Sequence, residues 1–83
     1  METNPELEMA IVTDYITIKS LDVYYSDKEM VSGFVKSVKP LPFEVILCKH
    51  MASIKQDPYH TIDFNKAKKI TLLYFDGKTA EYK

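Results

Sequence analysis

Apolar and polar residues alternate with two different rhythms along this chain. Behind Asn4-Pro5-Glu6, the apolar residues Leu7, Ala10 and Ile11 recur at the spacing of one helical face. Asn4 can accept from an early backbone N–H, Pro5 suits the first helical position, and Glu6 and Glu8 complement the positive end of the helix dipole. The spacing predicts a short helix over residues 5–13. So short a helix needs docking to persist, and a frayed tail is the alternative.

From Tyr15 the period becomes two. Ile16 and Ile18 share one parity, whereas Leu21, Val23 and Tyr25 take the other, so a bulge or break is required near Lys19-Ser20. A polar turn at Ser26-Asp27-Lys28-Glu29 precedes Val31, Gly33 and Val35 on one side of a strand and Phe34 on the other. Gly33 within such a run marks a strong bend or a close backbone approach. Pro40-Leu41-Pro42 should interrupt the ladder, because proline has no N–H to donate. A strand resumes with Phe43, Val45 and Leu47 on one face. His50 to Thr61 reads as a polar loop with a helical turn around Ala52 to Gln56. Ile62-Asp63-Phe64 reads as a short strand, Lys66 to Lys69 as a tight connection, and Ile70 to Phe75 as another strand. Asp76-Gly77 has the residues of a type I′ hairpin turn, which returns the chain antiparallel over Lys78 to Tyr82.

The pattern defines a mainly β chain of about five or six short antiparallel strands behind an N-terminal tail or helix. Strands this short do not hold a flat sheet with one face in water, so a small SH3-like barrel over residues 14–83 is expected, with residues 1–13 outside it. The stretch from Leu21 to Leu73 resembles the YolD-like family of small bacterial and phage proteins, whose fold belongs with the Sm-like barrels. The features that carry the resemblance are Val23-Tyr24-Tyr25 before a polar turn, Gly33-Phe34-Val35 leading to Val38 and Pro40, Val45-Ile46-Leu47, and Ile62-Asp63-Phe64 leading to Ile70. A helix at Pro5 matches the one that precedes an Sm-like barrel. RNA-binding Sm proteins carry an Asp and an Asn after the second strand and an Arg-Gly signature later. This chain has Ser37-Val38-Lys39-Pro40-Leu41-Pro42 and Asn65-Lys66-Ala67-Lys68 there, so the resemblance transfers no nucleotide pocket. It implies a link with DNA-damage tolerance in low-GC bacteria but brings no catalytic motif.

Composition narrows the function classes. At 83 residues the chain makes one small domain, and such domains bury only about 60% of their unfolded surface. The thin core leaves no room for a multi-domain enzyme or a self-contained cofactor fold. Eleven lysines with no arginine face twelve acidic residues, for a net charge of −1. No bulk positive field recruits nucleic acid, and without guanidinium groups bidentate reading of guanine is lost. Arginine avoidance with lysine retained looks like coding bias in an AT-rich genome. A single cysteine, Cys48, excludes an internal disulfide. The acidic N-terminus lacks the order of a signal peptide, and no apolar run approaches the ~20 residues that span a bilayer. A soluble cytoplasmic protein without membrane association is expected.

Candidate chemistry is sparse. Cys48, His50 and His60 are the soft ligands, but their spacing fits no zinc pattern. No metal and no cofactor are expected, and Cys48 is read as a small buried hydrophobe. With glycine only at Gly33 and Gly77 there is neither a phosphate loop nor a serine nucleophile elbow, so no catalytic residue is assigned. Aromatic residues are the surplus. In Tyr24-Tyr25 and Tyr74-Phe75, strand alternation must turn one member inward and one outward. Tyr24, Tyr25, Phe34, Tyr74 and Phe75, with Lys66, Lys68 and Lys69, are therefore the candidate binding residues. The expected function is a non-enzymatic protein-interaction module, an accessory or regulatory protein of a bacterium or phage. Exposed strand edges would support homo-oligomers. The alternative is a barrel that binds single-stranded nucleic acid through its exposed aromatics and the lysine cluster.

Overall fold

Helix α1 forms where its cap residues place it. In a computed structural model, which describes residues 4–50 and 57–83, α1 spans Pro5–Asp14. Asn4 is extended, and its side chain accepts the Glu6 N–H at 2.8 Å. Leu7 and Ile11, one turn apart, are fully buried, so the helix is held by docking as its length demands. Asn4→Ala is expected to lower stability by about 1 kcal/mol, read as a shift in the urea midpoint. An unmoved midpoint would show that the docked face alone holds the helix.

Six strands follow: β1 Ile18–Tyr24, β2 Met30–Pro40, β3 Phe43–Lys49, β4 Tyr59–Thr61, β5 Lys69–Tyr74 and β6 Thr79–Tyr82. They form one antiparallel sheet in the order β4-β3-β2-β1-β5-β6. Among the described residues no ladder joins β4 to β6, so the sheet is open and has two edges. β1 lies at its centre, with Leu21 opposite Gly33 on one side and Leu72 on the other, and Val23 between Val31 and Ile70. These residues share one face with Val45 and Leu47. That face meets Leu7 and Ile11 of α1 and Ile62, Phe64 and Ala67 of the β4–β5 connection in a single apolar core. No polar or charged side chain is buried among the described residues.

The parity change in β1 is a bulge. Ile18 pairs with Tyr74 and Ser20 with Leu73, leaving Lys19 as the extra residue. A second bulge, absent from the sequence reading, lies in β2, where Val35 pairs with Leu47 and Ser37 with Ile46, so Lys36 is extra. Bulges in adjacent strands bend the sheet around its core face.

Several expectations are corrected. Ile16 is not in a strand: residues 15–17 form a turn, in which the Thr17 N–H and Oγ1 both bond the Asp14 carbonyl, at 2.8 and 2.9 Å. The prolines do not break the ladder. Pro40 is the last residue of β2, paired with Phe43, and Leu41-Pro42 alone make the turn. The supposed polar loop contains β4, whose Tyr59, His60 and Thr61 pair with Cys48, Leu47 and Ile46. The helical turn expected near Ala52 to Gln56 lies outside the described residues. Ile62-Asp63-Phe64 is not a strand. The Ile62 N–H still reaches Val45 O at 3.0 Å, but the Asp63 carboxylate then accepts the N–H groups of Asn65 and Lys66 and turns the chain. The β5–β6 turn is not type I′, which needs two positive φ angles, because only Gly77 has one, at 91°. The Tyr74 N–H reaches Lys78 O at 2.8 Å, which leaves a three-residue loop closed by left-handed Gly77.

Candidate interaction surface

Strand alternation divides each aromatic pair. Tyr24 lies on the outer face of the sheet, and Tyr25 turns toward the core side. Tyr74 packs against the core, and Phe75 stands out from the end of β5 at 69% exposure. Phe34, opposite Cys48, is also on the outer face, at 45%.

Phe34 and Phe75 converge on one shallow groove of about 400 Å³, which is also lined by Tyr15, Ile16, Lys19 and Val35. Its far wall is the α1–β1 turn, pinned to the end of β5 by a hydrogen bond of 3.1 Å from the Phe75 N–H to Thr17 O. Ile16 is 75% exposed and Tyr15 46%, so four large apolar side chains meet water in one place. An isolated exposed apolar side chain is ordinary, whereas a contiguous group marks an interaction surface. Among the described residues, Lys19 is the only charged one lining the groove. Sequence reasoning missed Tyr15 and Ile16 because they were placed in a strand. Their signal was an apolar pair at a helix–strand junction.

The basic candidates divide differently. Lys68 and Lys69 join Tyr24, Ser26, Asp27 and Lys83 around a second groove of about 370 Å³, while Lys66 is exposed in the preceding turn and does not line it. Lys83 was not anticipated. The Lys69 Nζ stands 4.3 Å from the centroid of the Tyr24 ring and 3.9 Å from Glu81, and Lys83 lies 3.5 Å from Glu81. Two of the three ammonium groups therefore already have a carboxylate partner.

Tyr25 and Tyr74 serve the fold. The Tyr25 phenol oxygen accepts the Asp63 N–H at 3.1 Å and lies 2.6 Å from His60 Nε2, with the two rings edge to face. Tyr74 donates its hydroxyl to Asp14 at 3.4 Å, which ties β5 to the end of α1. Burial, reinforced by the Asp14 carboxylate, raises the Tyr74 pKa.

The soft ligands do not converge. Cys48 is half-buried on the outer face rather than in the core, because it falls on the opposite parity to Val45 and Leu47. His50 bonds Ser20 Oγ at 3.0 Å beside the Phe34 ring, while His60 is on the core side with Tyr25. Among the described residues no three His, Cys, Asp or Glu side chains come together, and no helix is long and apolar enough to cross a membrane. No family model, no curated protein and no solved structure matches the chain.

Proposed function

We propose that the chain is a non-enzymatic protein-interaction module, a small accessory protein of bacterial or phage origin. The observation that carries this reading is the groove at Tyr15, Ile16, Phe34 and Phe75, where exposed apolar side chains from three separate segments are held side by side. The architecture supports an SH3-like or Sm-like scaffold beneath it. A helix precedes the first strand, late strand β5 returns beside β1, and two bulges curve the sheet around one core.

A display selection of random peptides on the intact chain, with the enriched peptides then measured on Ile16→Asp, tests the module. Ile16 is exposed, so the substitution should leave the melting temperature within about a degree while abolishing capture of the enriched peptides. Enriched peptides that bind the variant equally well would remove the groove from this role.

The Tyr24 groove favours single-stranded nucleic acid as the second reading, since it sets a ring beside Lys68, Lys69 and Lys83. It ranks lower because Glu81 and Asp27 share the same surface. Its mark would be oligonucleotide anisotropy that falls with added salt and is lost in Lys68→Glu.

A further inference from the structure

We infer that the Tyr15–Phe75 groove takes a peptide segment of a partner protein in which large apolar side chains are flanked by Asp or Glu. This rests on the interaction-module reading and adds the chemistry of the occupant. The argument is one of charge around an apolar floor. Both bulges place a lysine as the unpaired residue: Lys19 lines the groove, and Lys36 directly follows lining residue Val35. Among the described residues neither has a carboxylate within ion-pair distance, although Lys36 stands 5.8 Å over the Tyr59 ring. Among the described residues no acid lines the groove: Asp14 accepts from the Tyr74 hydroxyl on the core side, and Asp76 pairs with Lys78 at 3.9 Å. The groove lining therefore carries the positive charge of Lys19 and no carboxylate beside an exposed apolar surface. Opposite charge at a rim adds specificity and association rate, and like charge is strongly disfavoured. A bulge also aims its extra residue away from the regular ladder, which is how a lysine can flank apolar neighbours without being paired across the strand.

The test uses three fluorescein-labelled decapeptides on the intact protein. One alternates leucine and glutamate, one leucine and lysine, and one serine and glutamate. The first should bind at least tenfold more tightly than either of the others at low salt. Ile16→Asp should abolish its binding, and Lys19→Glu should shift preference toward the leucine–lysine peptide. Circular dichroism checks that both variants fold. Equal affinity for the two leucine peptides, both Ile16-dependent, would overturn the acidic preference and leave the module reading standing. Binding by neither leucine peptide overturns the inference as well. In that case, Ile16-dependent peptides of other composition from the display selection would preserve the module reading, and their absence would end it. Light scattering that shows a dimer dissolved by Ile16→Asp would assign the groove to a second copy and overturn the partner-peptide inference.

Discussion

Replacing Gly33 by alanine should destabilise the protein by about 1–3 kcal/mol, the range for forced overpacking of a well-packed site. Gly33 is buried on β2 between Leu21 of β1 and Lys49 of β3. A Cβ there would collide with the carbonyl oxygen of Cys48, and would lie 2.9 Å from the carbonyl carbon and 3.1 Å from Lys49 Cα. The obstruction is the backbone of a paired strand, so no side-chain rotation relieves it, and β2 must move away from β3. Backbone conformation is not the reason, because Gly77 is the glycine with positive φ. At a site without the clash, the same substitution would stabilise by about 0.4–1 kcal/mol through the unfolded chain. The two mechanisms thus have opposite signs, and a urea titration of Gly33→Ala separates them. A midpoint equal to or above that of the parent would mean that the strands part without strain. Total stabilities of small domains are only about 5–15 kcal/mol, so the expected loss is a large share.

Local grammar was legible where one residue has one physical use. Asn4 and Pro5 predicted the start of α1; the parity change predicted a bulge or break near Lys19-Ser20, which is the bulge at Lys19; and Gly33 predicted a bend or a close backbone approach, which is the approach to β3. What failed depends on partners distant in sequence. Three polar-looking residues, Tyr59, His60 and Thr61, become a strand because β3 offers them a free edge. Ile62 to Phe64 look like a strand, but the Asp63 carboxylate caps a turn, and Ile62 and Phe64 both enter the core from it. The bulge at Lys36 leaves no trace in β2, where Ser37, Val38 and Lys39 fit either parity. The candidate groove was half legible for the same reason. Phe34 and Phe75 were singled out as aromatics, but their meeting with Ile16 depends on the hydrogen bond between Phe75 and Thr17 across the end of the sheet.

His60 should make stability fall as the solution is acidified from neutrality. Its partner arrangement is complete only when the imidazole is neutral. The Tyr25 oxygen accepts the Asp63 N–H, and its own hydrogen gains a partner when it is donated to His60 Nε2, the arrangement of the tautomer that leaves that nitrogen bare. Partial burial lowers the His60 pKa below its ordinary 6.5, the Lys49 ammonium lowers it further, and Glu29 acts in the opposite direction. On the other side of the hydrogen bond, burial raises the Tyr25 pKa, the Asp63 N–H opposes that, and the Asp63 and Glu29 carboxylates add to it. Both partners are therefore held neutral. Because the folded-state value for His60 is depressed, the unfolded chain binds the proton more readily. The contribution is fully present above pH 6.5 and is lost as pH falls from there toward the folded-state value. Since His60 lies on edge strand β4, protonation loosens the outermost strand from the end of β1. His60→Gln keeps an acceptor for the Tyr25 hydroxyl but has no proton to gain, so its urea midpoint should change less than that of the parent between pH 7.5 and 5.5. Tyr25→Phe, which leaves the Asp63 N–H and His60 Nε2 without this partner, should cost about 1–2 kcal/mol at pH 7.5. If His60→Gln instead follows the parent through the whole window, the acid sensitivity belongs to other groups and the Tyr25–His60 bond is only a structural tie.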